Sequence, residues 1–212
     1  MKKIMLVLFA TALTILVANT ASAITIDPVQ GVPTFEAYPD SHPNGFIGIP
    51  FDLFTGNLYG GDTRTYLQFD LSQFSKIDSA TLWMTTYIIG AQDDVSVYGT
   101  SNNWALPLPT WNDQPALGLF GSTTTVGGGG SAWDVTSLAQ SSAGGLFSLA
   151  LVSADQSTWF IEYFGGNWPP SYVGVSPRLD VTPGSVIPEP ASLSLLGLGL
   201  SGLLFRRRKR IV

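Results

Sequence analysis

Two long apolar runs lie near the ends of the chain, and between them apolar and polar residues alternate over short segments separated by Gly, Pro, Asn and Ser. In the first run, Lys2 and Lys3 precede an apolar stretch from Ile4 to Ala18, and Ala21-Ser22-Ala23 follows it. A basic start, an apolar centre and an A-x-A cleavage site at Ala21 and Ala23 predict a secretory signal peptide over residues 1–23, helical before removal. The second run, Ala191 to Phe205, carries no charge and as a helix spans roughly 22 Å. Against a hydrocarbon core of ~30 Å it holds a chain in a membrane only marginally.

The alternating segments predict strands. Tyr66 to Leu71, Ala80 to Ile89, Val95 to Tyr98, Ala132 to Val135, Phe147 to Val152, Trp159 to Tyr163 and Arg178 to Val181 are rich in branched, aromatic and Thr residues. Leu67, Phe69 and Leu71 fall on one face of a period-2 strand and Asp70 on the other. Leu82, Met84 and Thr86 likewise alternate with Trp83, Thr85 and Tyr87, one set core and the other outer. PDSHPNG (Pro39 to Gly45), TGNLYGGD (Thr55 to Asp62) and Gly127 to Gly130 read as turns. One short helix is predicted after Asp134-Val135-Thr136, with Thr136 as its cap and Gly144-Gly145 as its stop. Many short strands punctuated by turns predict an all-β sandwich or jelly roll.

Charge alters the picture once the ends are set apart. Residues 24–186 hold three basic residues (Arg64, Lys76, Arg178) and fourteen acidic ones, a net charge of −11 against −5 for the whole chain. So acidic a domain repels phosphate backbones, which excludes nucleic acid as a partner, and it disfavours tight docking on polyanions such as alginate. The chain has no cysteine, so thiol chemistry, Fe–S clusters and Cys-ligated zinc are excluded; His42 is the only histidine, which removes His-rich metal sites as well. A domain of this size buries enough apolar surface to fold without disulfides.

The sequence IPEPASLSLLGLGLSGLLFRRRKR (Ile187 to Arg210) places Pro188-Glu189-Pro190 before the apolar run and five basic residues, 206–210, after it. Its basic end stays cytoplasmic, which puts Pro188 to Pro190 at the outer face. This tail, residues 187–212 with its hydrophobic helix at 191–205, resembles the PEP-CTERM sorting signals. The resemblance implies export through the Sec translocon, transient residence in the inner membrane and cleavage near Pro188 to Pro190 by an exosortase. The product would then lie in the outer envelope or outside the cell. An ordinary tail anchor is the alternative.

A second resemblance lies in the body. RTYLQFDLSQFSKIDSATLWMTTY (Arg64 to Tyr87), VSVYGTSNNWALPLPTWNDQPALG (Val95 to Gly118), WDVTSLAQ (Trp133 to Gln140), FSLALVS (Phe147 to Ser153) and SPRLDVT (Ser176 to Thr182) occur in that order. Together they are similar to the DNRLRE-type domains, extracellular β-sandwiches that include carbohydrate-binding modules. TWNDQP (Thr110 to Pro115) stands where that family has a TWNNQP-like segment, with Asp113 replacing the usual Asn. The resemblance implies a jelly-roll-like sandwich over residues 24–186. Phe69, Asp70, Trp111, Asn112, Gln114, Pro115, Asp134 and Arg178 are its structural motif, with Asp70 or Asp134 as the partner expected for Arg178.

Sugar binding by such modules uses exposed aromatic faces flanked by amides and carboxylates. Trp104, Trp111, Trp159, Tyr163, Trp168 and Tyr172 are the candidate platforms. Trp104 and Trp111 lie inside the family pattern and are expected to pin core or loop. Trp168 and Tyr172, with Asn167 and Tyr163, are the expected ligand contacts, because GGNWPPSY (Gly165 to Tyr172) lies outside that pattern; a Trp clamped by Pro169 and Pro170 reads equally as a loop anchor. Asp93, Asp94, Asp40, Asp52 and Asp62 could supply oxygens to a structural Ca²⁺, without EF-hand or RTX spacing; solvated surface charge explains them first. No catalytic residue, resident metal or other cofactor is predicted: His42 has no nucleophile elbow near it, and nothing brackets Glu36 and Glu162 as an acid/base pair. The preferred reading is an exported, non-catalytic envelope or extracellular-matrix protein that binds exopolysaccharide. The alternatives are a purely adhesive surface protein and a secreted polysaccharide hydrolase or lyase.

Overall fold

The computed structural model describes residues 22–41, 52–58, 60–89, 91–104, 109–154, 160–165 and 176–184. Among these described residues eleven strands and one short helix follow in order: β1 (Ile24–Ile26), β2 (Gln30–Phe35), β3 (Asp52–Leu58), β4 (Gly61–Asp70), β5 (Ile77–Ile89), β6 (Asp93–Gly99), β7 (Phe120–Val126), β8 (Gly130–Asp134), α1 (Thr136–Ser141), β9 (Leu146–Ser153), β10 (Phe160–Phe164) and β11 (Arg178–Pro183). All pairs are antiparallel, in the order β1-β11-β5-β10-β3-β4-β9-β6-β7, with β2 added to β4 and β8 to β5. The expected all-β sandwich is the fold.

The two layers meet through β5, whose 13 residues are more than either layer needs. Residues 77–85 pair with β11 and β8, whereas residues 86–89 pair with β10 in the other layer. The predicted alternation along this strand holds: Leu82, Met84 and Thr86 are buried, while Trp83 and Thr85 are half-buried and Tyr87 is exposed. Between the layers Leu67, Phe69, Leu82, Met84, Val95, Val97, Trp133, Leu149, Leu151, Tyr163, Leu179 and Val181 form the main core. Each comes from every second position of its strand, the period that a sandwich interior imposes.

Three predicted details differ. Thr55 to Leu58, read as turn, is the end of β3; the reversal is confined to the residues just before β4, where Gly60 takes φ +86°. Thr136 is the first helical residue and not the cap: its hydroxyl accepts from Ala80 N at 3.0 Å, which ties α1 to β5, while Asp134 Oδ1 accepts from Thr136 N at 2.9 Å. Arg178 pairs with neither Asp70 nor Asp134. It stacks on Trp83, 5.4 Å from the ring, and lies 4.0 Å from Asp180, because its cross-strand partner in β5 is Trp83.

Candidate functional site

The outer face of the β2-β4-β9-β6-β7 layer is built from the residues that alternate with the core. β2 gives Val32 and Thr34, β4 gives Arg64, Tyr66 and Gln68, β9 gives Ser148 and Ala150, and β6 and β7 give Asp94, Ser96, Tyr98, Phe120, Thr123 and Thr125. The described residues between β6 and β7, 100–104 and 109–119, meet Thr34, Tyr66 and Gln68 on the first half of this face, whereas Asp94, Phe120, Thr123 and Thr125 on the second half are exposed.

The covered half explains the TWNDQP segment. Gln114 Oε1 accepts from the Tyr66 hydroxyl at 2.9 Å and from Thr34 Oγ1 at 3.2 Å, and Pro115 O accepts from the same Tyr66 hydroxyl at 3.2 Å. Asn112 Nδ2 donates to Asp40 Oδ1 at 2.7 Å, and Asn112 N donates to Pro39 O at 3.0 Å. Asp113 accepts from both the backbone N and the hydroxyl of Thr110, which is what the Asp in place of Asn does here. Trp104 lies edge-on to Tyr66, 6.2 Å between centroids, in a second apolar cluster with Val32 and Ala150. Arg64 sits 4.9 Å above the Trp111 ring and occupies one of its faces. Trp104 is thus packed beneath the segment, and Trp111 has one ring face covered by Arg64. Burial pushes the Tyr66 hydroxyl above its ordinary pKa, so it remains a donor to Gln114.

The rest of the structural motif is dispersed through the fold. Phe69 is core and packs on Phe147; Asp70 is held below the usual carboxylate range by its hydrogen bonds from Ser72, and Asp134 by those from Thr136. Tyr163 is corrected. It is 0 % exposed, its hydroxyl within 3.4 Å of Thr55 Oγ1 and its ring edge-on to Trp133, so it presents no face to a ligand. The physical reason is parity: Ile161 and Tyr163 share the inward face of β10. Trp168, Tyr172, Asn167, Trp159, His42, Ala21, the tail helix and Pro188, Glu189 and Pro190 lie outside the described residues; Ala23 precedes β1 directly.

The open half carries the features that sequence reasoning had sought elsewhere. Tyr98 and Phe120 are cross-strand partners with rings 5.7 Å apart and near perpendicular, and Phe120 is 55 % exposed. Next along the strands Ser96 and Thr123 share a hydroxyl hydrogen bond of 2.7 Å, and then Thr125 donates to Asp94 Oδ1 at 2.6 Å. The strip from residue 94 to residue 98 is about 13 Å long at strand rise. At its Asp94 end Gln92, Asp93, Asp94, Thr125 and Ala154 line an open recess of ≈ 500 Å³. The only sequence signals for this strip were the strand predicted at Val95 to Tyr98 and the turn read at Gly127; FGSTTTV gave no apolar alternation.

Two other groupings bear on chemistry. Glu162 and Asp52 come together on β10 and β3, where burial first, then the Asp52 charge and a hydrogen bond with Asp52, raise the Glu162 pKa to about 7. Glu162 is only 7 % exposed. Of the acids considered for Ca²⁺, Asp40 holds Asn112, Asp52 faces Glu162, Asp62 lies near Glu36 and Arg64, and Asp93 and Asp94 begin β6. Among the described residues no three His, Asp, Glu or Cys side chains gather where they could hold a metal ion.

Residues 186–209 match the PEP-CTERM protein-sorting motif, so the tail is a signal handled by an exosortase, and it marks an exported protein. No helix among the described residues is long and apolar enough to cross a membrane. No curated protein matches the chain. Residues 54–164 match carbohydrate-binding module family 96, a span that runs from β3 to the end of β10 and contains the whole open strip. With more than half of its length in that match, the chain belongs to carbohydrate-binding module family 96.

Proposed function

We propose that this protein is a non-catalytic polysaccharide-binding component of the cell envelope or extracellular matrix, and that it binds glycan along the strip from Tyr98 and Phe120 to Asp94 and Thr125. The observation that carries the reading is the placement of an aromatic pair, exposed Phe120 against half-buried Tyr98, beside a row of hydroxyls and a carboxylate on the second half of the outer face. Aromatic faces take the apolar side of a pyranose, and side-chain oxygens take its hydroxyls. Membership of a binding-module family supports the same reading.

Around this domain, residues 1–23 direct export through the Sec translocon, residues 24–186 are the working domain, and residues 187–212 hold it in the inner membrane until an exosortase acts. Trp168, Tyr172 and Asn167 follow Phe164 within eight residues and are proposed as accessory contacts. A purely adhesive protein with all its aromatics buried is disfavoured by Phe120, Tyr87 and Tyr38, each at least 40 % exposed. Hydrolysis has one supporting observation, the Glu162–Asp52 pairing, and its burial against β3 explains that pairing as structure.

Affinity electrophoresis of the folded domain through gels cast with single polysaccharides tests the proposal. Retardation by at least one glycan, weakened roughly tenfold in Phe120→Ala, is expected; unchanged retardation in Phe120→Ala would remove the strip from the binding surface.

A further inference from the structure

The layer formed by β1, β11, β5 and β8 has an outer face of its own. Its inward residues Leu82, Met84, Trp133, Leu179 and Val181 share one core with Val95, Val97 and Leu149 of β6 and β9, so the outer faces of the two layers point away from each other. The strip lies on one of them. At the centre of the other stands Trp83, half-buried on β5 and outside the core cluster.

Cross-strand register sets the surroundings of this ring. On the β11 side its partner is Arg178, which stacks 5.4 Å from the ring. On the β8 side its partner is Ala132, and the next outward position is Gly130, opposite Thr85, where an added Cβ would meet nothing within 4 Å. The guanidinium thus backs the ring from one side, while the cross-strand neighbours on the other stop at a methyl group. Two residues back along β5 an unbroken row crosses all four strands: Thr25 faces Asp180, Asp180 faces Thr81, and Thr81 faces Asp134. Hydroxyl and carboxylate alternate along this row over roughly 14 Å at the spacing of paired strands. The Thr25 hydroxyl donates to Asp180 Oδ1 at 2.7 Å, which holds the row in order. Four residues beyond Trp83, on the same face of β5, Tyr87 is 49 % exposed with its ring 5.1 Å from Phe164. Thr25, Gly130 and Asp134 are exposed as well, so solvent reaches the face at both margins.

We infer that this face is a second polysaccharide-binding surface, and that the domain is a two-sided cross-linker of glycan chains. Trp83 takes the apolar side of a pyranose in the space over Ala132 and Gly130, and the row from Thr25 to Asp134 meets the hydroxyls. Tyr87, about 13 Å along the strand, supports a further sugar of the same chain. Arg178 holds the Trp83 ring from behind. The second surface stands on its own geometry; only the cross-linking rests on the reading of the strip. Because the two surfaces lie back to back, they engage separate chain segments, and retention on a polymer is strengthened when both are occupied.

The test uses the full chain in mild detergent as wild type, Trp83→Ala, Ala132→Gln, Phe120→Ala and Trp83→Ala/Phe120→Ala. Each is measured by affinity electrophoresis in β-1,3-glucan, galactomannan, xylan and alginate, by turbidity of the same glycans in solution, and by thermal unfolding and sedimentation without glycan. Ala132→Gln puts a side chain beside Trp83 at an outward position and should leave Tm within about 3 °C of wild type. Expected are a roughly five-fold or greater loss of affinity in Trp83→Ala, Ala132→Gln and Phe120→Ala, complete loss in the double variant, and turbidity with wild type alone. Wild-type affinity in Ala132→Gln, with binding weakened in Phe120→Ala, overturns the second surface and leaves the strip standing, whatever Trp83→Ala does. The reverse pattern supports the second surface and overturns the strip and the cross-linking. Turbidity kept by all three single variants overturns the cross-linking. A dimer without glycan that Ala132→Gln dissociates assigns the face to a second copy of the chain and overturns its role in glycan binding. No retention of wild type on any of these glycans overturns both surfaces.

Discussion

The Tyr66 hydroxyl donates to Gln114 Oε1 at 2.9 Å, which fastens the segment after β6 to the middle of the opposite strand β4. Because Thr34 of β2 donates to the same oxygen, one side-chain carbonyl links two strands and a loop, and that link decides which half of the outer face is covered.

Gln114→Ala is therefore expected to destabilise the domain by about 1–3 kcal/mol, the cost of leaving partly buried hydroxyls without their acceptor. Gln114→Glu keeps the accepting oxygen and should lose less. Urea unfolding reads this as a lower midpoint at unchanged slope.

Trp104 and Phe120 should separate stability from binding. Trp104 is 5 % exposed in the cluster under that loop, so Trp104→Ala is expected to cost about 3–5 kcal/mol. Phe120 is more than half exposed, and Phe120→Ala should change stability by no more than about 0.5 kcal/mol. Its glycan affinity should nevertheless fall roughly tenfold, the stacking share of an aromatic contact. Denaturation and affinity electrophoresis of the two variants check the contrast.

The same pair of residues shows what was legible in the sequence. Trp104 could be assigned to packing because it sat inside a recognisable pattern, and strands such as β5 and β9 followed from period-2 alternation. β2, with Pro33 in it, β3, with its Gly and Asn, and β7, with three threonines in succession, carry too little alternation to be read alone; they are strands because their neighbours pair with them. Phe120 could not be seen as a site residue, since its exposure comes from the register with Tyr98 across an irregularity between Ser96 and Tyr98. Tyr163 misled for the complementary reason: an aromatic in a strand is platform or core by parity, and parity is fixed only when β10 inserts between β3 and β5.

Glu162 gives a pH dependence whose sign is fixed by its shift. Its folded pKa, about 7, stands above the ordinary 4.5, so between those values the folded state binds more protons than the unfolded one. Stability from this group is fully present below about pH 4.5 and is lost as pH rises through about 7. Glu162→Gln, which stays neutral and can still donate to Asp52, should remove that fall. The gain at pH 8 should be of the order of 1–2 kcal/mol after solvent screening, visible in Tm measured from pH 5 to pH 8. Equal pH slopes for the two proteins would rule out Glu162 as the titrating group.

The tail should act as a removable tether. Its apolar run spans roughly 22 Å as a helix, enough to hold the chain in the membrane but less than a full hydrocarbon core. The tail also holds five basic residues and one acidic one, so cleavage near Pro188 to Pro190, together with loss of Lys2 and Lys3 in the signal peptide, leaves a domain of net charge close to −11, far more acidic than the intact chain. Replacing Pro188, Glu189 and Pro190 together with alanine keeps the hydrophobic run and the cations and changes only the motif. Such a variant is expected to accumulate intact in the inner membrane fraction, while wild type appears in the outer envelope or medium at lower mass and lower isoelectric point. Deleting residues 188–212 should release the domain without membrane residence. Mass spectrometry of the C-terminus in each fraction distinguishes the outcomes, and intact tails on wild type outside the inner membrane would show that sorting proceeds without cleavage.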